Sequence, residues 1–457
     1  MQEAADRNAT LWFLWATGVY FALQLIQRLM LGGALEADEA EMLLLGRDWA
    51  WGYGPQPPLY NWLQILVFGV MGPGTAGLIL LKNFSLWLAG AGMWFAMRHA
   101  FADRRAATAA ALSLAFLPNI LWEFQRASSH SIVLLVAICW TLWAWFRLMA
   151  RQDLLGWLVL GVIMGLGGLS KWNYWAVPAG LMVASIGFWP QRVQVRGAAT
   201  AVVVAALIVA APYYWAVTHT TNSLASVYKF YNRPVMFPWA LGVDVLAANV
   251  LAGMALPLII GGGLWAIVGR GRLGPAPTAT RLLWRAAVMT VAVTAVLVIA
   301  FGITNIQARW LVPILIFASA AGFGWLGPAL SAPAFRAVPA LAATCAAITV
   351  LGMAQVRNGS TATRDLSPLS NLITQLQPDR IEAGYYLAGN LQLLHPELDI
   401  KGTGATAIRG DWPQRLLIFG DMPPGLTPVD GGELQLASSA ANSDPFRVRW
   451  HIVAPPG

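Results

Sequence analysis

Long apolar runs separated by short polar segments fill most of the chain. Each run comes close to the roughly 20 residues that a helix needs to cross a bilayer. The runs cover residues 11–31, 75–97, 106–121, 129–149, 155–170, 173–189, 197–217, 244–268, 286–304, 309–327 and 336–353. The polar start carries two acids and one arginine instead of the basic stretch of a cleavable signal, so the first run is predicted to remain as a span. The pattern predicts an all-α polytopic membrane protein with about eleven transmembrane helices.

Composition supports this class and separates a C-terminal domain. The chain is 58% hydrophobic and 11% charged, with a mean hydropathy of +0.59. Residues 354–457 hold 18 charged residues in 104 positions, whereas residues 1–353 hold 32 in 353. We therefore expect a transmembrane domain over 1–353 and a small soluble α/β domain over 354–457, with a helix near 383–394. Cys139 and Cys345 lie inside apolar runs, which gives neither a disulfide framework nor a metal-ligand spacing.

The distribution of basic residues predicts the orientation. If the N-terminus is cytoplasmic, 13 of the 21 Lys and Arg residues before position 354 lie on the inner side, as the positive-inside rule requires. An odd number of spans then places the C-terminal domain outside, which in a bacterium means the periplasm. Eight cations remain for the outer side. They are Arg28, Arg47, Lys82, Arg126, Lys171, Lys229, Arg233 and Arg309. As a set they resemble a phosphate-binding ring, while for any one of them snorkelling or pairing with an acid is the alternative. Lys82, inside the second span, suits pairing best.

The outer segment 32–74 has the strongest chemical character. It contains Asp38, Glu39, Glu41 and Asp48, which cannot lie unpaired in hydrocarbon. Residues 39–51 suit a helix lying in the membrane interface, and Pro57-Pro58 can begin a second helix after a Gly-Tyr-Gly-Pro turn. Asp38 follows the first span directly, where a membrane enzyme would keep a base; the alternative is a helix N-cap.

These features resemble a known group of enzymes. Asp-Glu after the first span, followed by a Gly-Tyr turn and Pro-Pro-Leu, is similar to the first periplasmic loop of the dolichyl-phosphate-mannose protein mannosyltransferase superfamily. These are glycosyltransferases of GT-C architecture, and they include the lipid A aminoarabinose transferases. The form GYGPQPPLYNWLQ looks most like the lipopolysaccharide galacturonosyltransferases of rhizobia. Further polar signatures match at Gln125-Arg126, His130-Ser131, Ser170-Lys171 and Ala308–Pro313.

The resemblance implies a reaction and a set of site residues. A sugar would move from a polyprenyl-phosphate donor to a periplasmic acceptor, with Asp38 as the catalytic base and Glu39 as the local alternative. The cations expected at the donor phosphate are first Lys171 and Arg309, because each lies at a predicted outer helix end beside polar residues. Arg126 comes next, followed by Lys229 and Arg233 in the loop 218–243. The residues implied for sugar or acceptor are Tyr53, Gln56, His130 and Tyr231. No cofactor or metal is expected, although a divalent cation is left open. The expected partners are membrane lipids, the lipid-linked sugar and a lipopolysaccharide or other glycan acceptor, and no nucleic acid. The protein is expected to be a monomer.

Two departures from the family bear on the sugar. Gln56 stands where the aminoarabinose enzymes have a lysine that contacts the donor phosphate, and His130 stands where many relatives have an aspartate. His130 then either holds a sugar carboxylate or bonds a neighbouring helix. A neutral amide and an imidazole favour an acidic sugar, such as galacturonic acid, on lipid A or the lipopolysaccharide core.

Other interpretations stay open. Residues 218–243 form either a mobile lid or an interfacial aromatic belt. A lipid-linked sugar transporter is the competing class, although no internal repeat is visible and the charges gather at one face. The nucleotide-binding signature GxxxxGK[ST] is absent from the sequence, which removes the ATP-driven form. A protein or glycan transferase of the same superfamily, or a ligase that uses pyrophosphate-linked donors, are the enzymatic alternatives.

Overall fold

A computed structural model describes residues 2–189, 193–231, 235–268, 273–359, 365–402, 415–422, 426–436 and 446–453. The α-helices, α1 to α17 in chain order, are Gln2–Leu31, Ala37–Leu45, Leu59–Met71, Thr75–Ala100, Arg104–Leu112, Phe124–Arg126, His130–Ala150, Leu154–Gly168, Ala176–Ala184, Val195–Thr218, Thr220–Ser223, Pro238–Val268, Thr278–Phe301, Val312–Leu326, Ala332–Gly359, Ser367–Leu376 and Tyr385–Leu394. The strands, β1 to β5, are Arg380–Ala383, Asp399–Gly402, Leu416–Phe419, Asp430–Leu436 and Phe446–Val453.

The predicted polytopic helical fold is confirmed, with shorter helices at two of the predicted spans. Within the described ranges, eight helices are long and apolar enough to cross a membrane, or nine if a bent pair counts as one span. The other two predicted runs contain α8, with 15 residues, and α9, with 9 residues. A 3-10 turn over Trp172–Trp175 separates these helices. The break follows Ser170-Lys171, whose polar side chains suit the membrane surface better than its interior.

The bent pair owes its shape to Pro118. Arg104–Phe116 and Asn119–Arg126 meet at 60°, and Leu117 between them is extended, at φ −91° and ψ 108°. A residue before proline is disfavoured in the helical region, so the span turns at that point and continues as a π-helical turn over Asn119–Glu123. The bend brings Gln125 beside α4, where its amide nitrogen donates to Asn83 Oδ1 at 3.0 Å.

Burial distinguishes central helices from lipid-facing ones. About two thirds to four fifths of the spanning residues of α4, α7 and α14 are buried, against 6% in α1. The same three helices supply much of the largest hydrophobic cluster. α1 and other peripheral helices expose leucine, valine and tryptophan outward, as a surface in contact with lipid requires.

The C-terminal domain is a small α/β unit that packs on the segment 32–74 of the membrane domain. Its sheet has the order β2-β1-β3-β5-β4, parallel from β2 to β3 and antiparallel across β5. α17 lies against α2: Asn390 accepts from the backbone N–H of Leu35 at 2.6 Å and donates to its carbonyl at 3.1 Å. A Cβ on Gly389 would come within 2.3 Å of the Ala40 carbonyl, so this approach requires glycine. α15 continues to Gly359, beyond the predicted boundary at 353.

Candidate active site

Helix α2 presents two carboxylates on one face. Its N-cap is Glu36, which forms a capping box with Glu39, so the interpretation of Asp38 as the cap is wrong. Asp38 lies in the first turn, where the helix dipole stabilises an anion. Glu41 follows Asp38 by three positions and therefore shares its face. Because the cap is made elsewhere, the Asp38 carboxylate is free to face the site.

Glu39 is committed to a buried ion cluster. Its two oxygens accept from Lys82 Nζ at 2.8 Å and from Arg28 Nη2 at 3.2 Å, and all three side chains are at most 4% exposed. Burial alone would raise the pKa of Glu39, but the charges of Lys82 and Arg28 outweigh it and lower the pKa to about 2. The prediction that Lys82 pairs with an acid is confirmed. Glu39 thus ties α2 to α1 and α4, and Asp38 is the better placed base.

Arg309 faces Asp38. Its Nη1 donates to Asp38 Oδ2 at 3.4 Å, with the side chains 36% and 29% exposed. Gln307 Oε1 accepts from Arg309 Nε at 2.8 Å, which orients the guanidinium. The short turn Ala308–Trp310 between α13 and α14 therefore directs the guanidinium at a partly exposed carboxylate. Among the described residues its Nη2 has no hydrogen-bond partner and can donate to an anion.

Lys171 joins the same cluster from the turn after α8. Its ammonium donates to Ser131 Oγ at 2.8 Å, and the amide of Asn173 donates to the Trp310 carbonyl at 2.9 Å, which ties the two turns together. Burial, and then the nearby charge of Arg309, lower the pKa of Lys171 to about 7, while Asp38 acts in the opposite direction. A bound anion would therefore raise the pKa of Lys171 and favour its protonated form.

Sequence reasoning assigned no role to Glu41, yet it belongs to this site. Burial and the charge of Asp38 raise its pKa to about 7, against the attraction of Lys229 and Arg309. Near neutral pH the carboxylates therefore carry less charge than Lys171, Lys229 and Arg309 together. The surplus positive charge suits a phosphate. The available signal was the spacing of three from Asp38 on one helix face.

Of the remaining predicted phosphate binders, Arg126 and Lys229 lie in electrostatic range of this centre. Arg126 pairs with Glu123 at 3.0 Å. Lys229 is exposed in a 3-10 turn, and its backbone carbonyl accepts from the Asn305 amide at 2.8 Å. Arg233 lies outside the described residues. The Tyr231 hydroxyl donates to the Phe301 carbonyl at 3.1 Å, which ties this part of the segment 218–243 to the end of α13. The interpretations of the segment as a lid and as an aromatic belt both remain predictions.

The predicted sugar-binding residues differ in whether their polar atoms already have hydrogen-bond partners among the described residues. The Tyr53 hydroxyl donates to the Asp48 carbonyl at 2.6 Å and accepts from Ala50 N–H at 2.9 Å, inside its own turn. His130 contacts Asn61 Oδ1 at 3.2 Å and Ser129 Oγ at 3.1 Å, which matches the interpretation as a bond to a neighbouring helix. Gln56 Oε1 is buried without a partner among the described residues, and so is Asn173 Oδ1. These two oxygens are available to hydroxyl donors of a sugar.

No group of three or more His, Cys, Asp or Glu side chains within the described ranges could hold a metal ion. The local positive charge comes from lysine and arginine instead. Those side chains can stabilise a phosphate as it leaves, as a metal does in other transferases.

Comparison with known proteins shows what the chain is similar to. The family model "Dolichyl-phosphate-mannose-protein mannosyltransferase" matches residues 55–215. Lipopolysaccharide core galacturonosyltransferase RgtB of Rhizobium johnstonii is 29% identical over 69% of this chain and 65% of its own length, slightly less than two thirds. RgtA of the same organism is 28% identical over 83% of this chain and 80% of its own.

Solved structures show the fold. ArnT from Cupriavidus metallidurans bound to undecaprenyl phosphate superposes with a TM-score of 0.60 at 15% identity, over 98% of both chains. Its apo form gives 0.61 at 14%, over 97% of this chain and 98% of that one. The fold and the charged cluster beneath the C-terminal domain define a membrane protein of GT-C architecture. Over residues 55–215 the chain is similar to the dolichyl-phosphate-mannose-protein mannosyltransferase family, and the two relatives named above are lipopolysaccharide core galacturonosyltransferases.

Proposed function

We propose that this chain is a membrane glycosyltransferase that moves a sugar from a polyprenyl-phosphate donor to an acceptor at the outer face of the bacterial inner membrane. The observation that carries the proposal is the partly exposed Asp38 carboxylate facing Arg309, with Lys171 in electrostatic range of both. A general base and phosphate-binding cations are the two functions that such a transfer needs.

The proposed reaction assigns one function to each charge. An acceptor hydroxyl attacks the anomeric carbon while the bond from that carbon to the phosphate oxygen breaks, through a transition state with oxocarbenium character. Asp38 takes the hydroxyl proton, and the polyprenyl phosphate leaves with the bonding electron pair. Arg309 and Lys171 stabilise the charge that grows on the phosphate. Because these cations supply the charge, we propose that no metal is required; unchanged transfer after EDTA treatment is expected, and its loss would contradict this point.

The proposed sugar is a uronic acid, transferred to the lipopolysaccharide core or lipid A. RgtA and RgtB are named as core galacturonosyltransferases, and this chain has the neutral Gln56 and His130 where other relatives have charged residues. Gln56 and Asn173 supply unpartnered oxygens for sugar hydroxyls. The surplus of cations around Asp38 suits a sugar carboxylate as well as a phosphate.

Mass spectrometry of lipopolysaccharide from a deletion strain tests the sugar and the acceptor. We expect lipid A or core lacking one or more uronic acid residues, restored by the gene in trans. Loss of a hexose, pentose or aminosugar would contradict the proposed sugar. Unchanged lipopolysaccharide with altered glycoprotein would contradict the proposed acceptor.

Alanine in place of Arg309 or Lys171 should weaken donor binding about tenfold or more, because each loses a charge-assisted hydrogen bond to phosphate. The measurement is binding of a synthetic polyprenyl-phosphate sugar, whose phosphodiester stays anionic, with Arg281→Ala on the opposite side as the control. Because the pKa of free Lys171 is lowered to about 7, affinity should fall as pH rises above 7. Ionisation of Glu41 lowers the affinity in the same pH range, because it adds a negative charge beside the phosphate. Lys171→Arg should flatten most of this dependence, and a profile that is unchanged in Lys171→Arg would exclude Lys171 from the phosphate site.

We propose that the site and the C-terminal domain face the periplasm and that the N-terminus is cytoplasmic. The contact of α17 with α2 requires that the loop and the domain share one side. An impermeant thiol reagent should label Gln375→Cys, on α16, in intact spheroplasts, but not Ala102→Cys, in the loop after α4. Labelling of Ala102→Cys alone would invert the topology. We also propose that the protein acts as a monomer; a dimeric mass in detergent by light scattering would contradict this.

A further inference from the structure

A cavity lies between the membrane domain and the C-terminal domain. It has a volume of about 540 Å³, opens to the surface, and is lined by the ends of α2 and α3 and by α17. Its walls include Leu43, Phe68 and Leu393, so most of the lining is apolar. The volume falls in the range of about 300–1,000 Å³ that is usual for small-molecule sites.

Two polar groups give the cavity a chemical character. Arg47 is exposed at its edge and has no hydrogen-bond or ion-pair partner among the described residues. Gln392 is 2% exposed; its amide nitrogen donates to the carbonyls of His395 and Leu398, while its oxygen is buried without a partner in the described ranges. The cavity therefore offers one cation for an anionic group and one acceptor for a hydroxyl donor.

The cavity adjoins the outer surface of the membrane. On α3, Leu66, Val70 and Met71 are 57%, 87% and 48% exposed, as expected for an apolar helix face that meets lipid. Pro73 lines the cavity, and the span α4 begins two residues later at Thr75. With the topology proposed above, lipid of the outer leaflet can reach the cavity from this side.

We propose that this cavity binds an anionic phospholipid of the outer leaflet. One acyl chain fills the apolar space, the phosphate pairs with Arg47, and a headgroup hydroxyl donates to Gln392. The site is separate from the catalytic centre, since none of Asp38, Lys171 and Arg309 lines the cavity. Because the lipid contacts α17 on one side and α2 and α3 on the other, it stabilises the docking of the C-terminal domain over the active-site loop.

Gly69 allows a direct test. It lines the cavity, and a Cβ added there meets nothing within 4 Å, so Gly69→Phe fills the cavity without a backbone clash. The full-length protein, purified in detergent, is mixed with phosphatidylglycerol and examined by native mass spectrometry and thermal unfolding. We expect wild type to retain one phosphatidylglycerol and to gain thermal stability, and Gly69→Phe to lose both responses. Gly90→Phe, at a similarly open glycine of α4, is the matched control and should respond as wild type does.

Arg47→Gln tests the headgroup without filling the cavity. It should lower the preference for phosphatidylglycerol over phosphatidylcholine by about tenfold, the scale of a lost charged hydrogen bond. The proposal is overturned if wild type retains no phosphatidylglycerol, if Gly69→Phe retains it as wild type does, or if Arg47→Gln keeps the full preference. Retention of purified lipid A but not of phosphatidylglycerol would also overturn it, because the cavity would then belong to the acceptor.

Discussion

Asparagine in place of Asp38 is expected to lower the rate of sugar transfer by about 10²-fold or more, the scale of a lost general base. The amide has nearly the shape of the carboxylate, and the cap of α2 is Glu36, so the helix should keep its place. Arg309 loses its anionic partner at 3.4 Å and becomes more available to the donor phosphate. Donor binding should therefore be unchanged or tighter while transfer fails.

Asp48→Asn is the matched control for this variant, because Asp48 is an exposed acid of the same outer segment. Transfer by Asp48→Asn should stay near the wild-type rate. If Asp38→Asn also turns over normally, Asp38 is not the base. An effect below tenfold would indicate a nucleophile that is already anionic, such as an acceptor phosphate, and would contradict the proposed attack by a hydroxyl.

Glutamine in place of Glu39 is expected to damage the fold instead. The change leaves Lys82 and Arg28 buried with no anionic partner, and breaking a buried ion pair by removing one member costs about 3–5 kcal/mol. The lowered pKa of Glu39, about 2 against its usual 4.5, gives stability that is present above pH 4.5 and lost as pH falls toward 2. Thermal unfolding in detergent should show a lower midpoint for Glu39→Gln and a weaker loss of stability in acid.

A second substitution separates stability from catalysis at this position. Lys82→Met removes one of the two stranded cations, so Glu39→Gln with Lys82→Met should recover part of the stability that Glu39→Gln loses. Glu39→Gln that unfolds as wild type does but transfers no sugar would contradict the structural role and would make Glu39 the base.

The helical spans could be predicted from the sequence because they depend on local composition. Asp38 could be singled out because it directly follows the first span, and its role as the base stays a prediction. Lys82 and Glu39 are 43 positions apart, so only the folded chain shows that their pairing removes Glu39 from the choice of base. Glu41 was overlooked because its raised pKa arises from burial and from charges on distant turns. The bend at Pro118 had a visible local cause, but its direction, which brings Gln125 to α4, depends on packing.

The proposed transfer can be tested directly in membranes of the deletion strain, which should hold both the unused lipid-linked donor and the unmodified acceptor. Purified wild-type protein or Asp38→Asn is added back in detergent, and the gain of sugar on the acceptor is followed by mass spectrometry. The wild-type protein should add the missing sugar while polyprenyl phosphate is released in equal amount. The rate of transfer by Asp38→Asn should be lower by about 10²-fold or more. No gain of sugar with the wild-type protein, or equal rates for the two proteins, would contradict an active site built around Asp38.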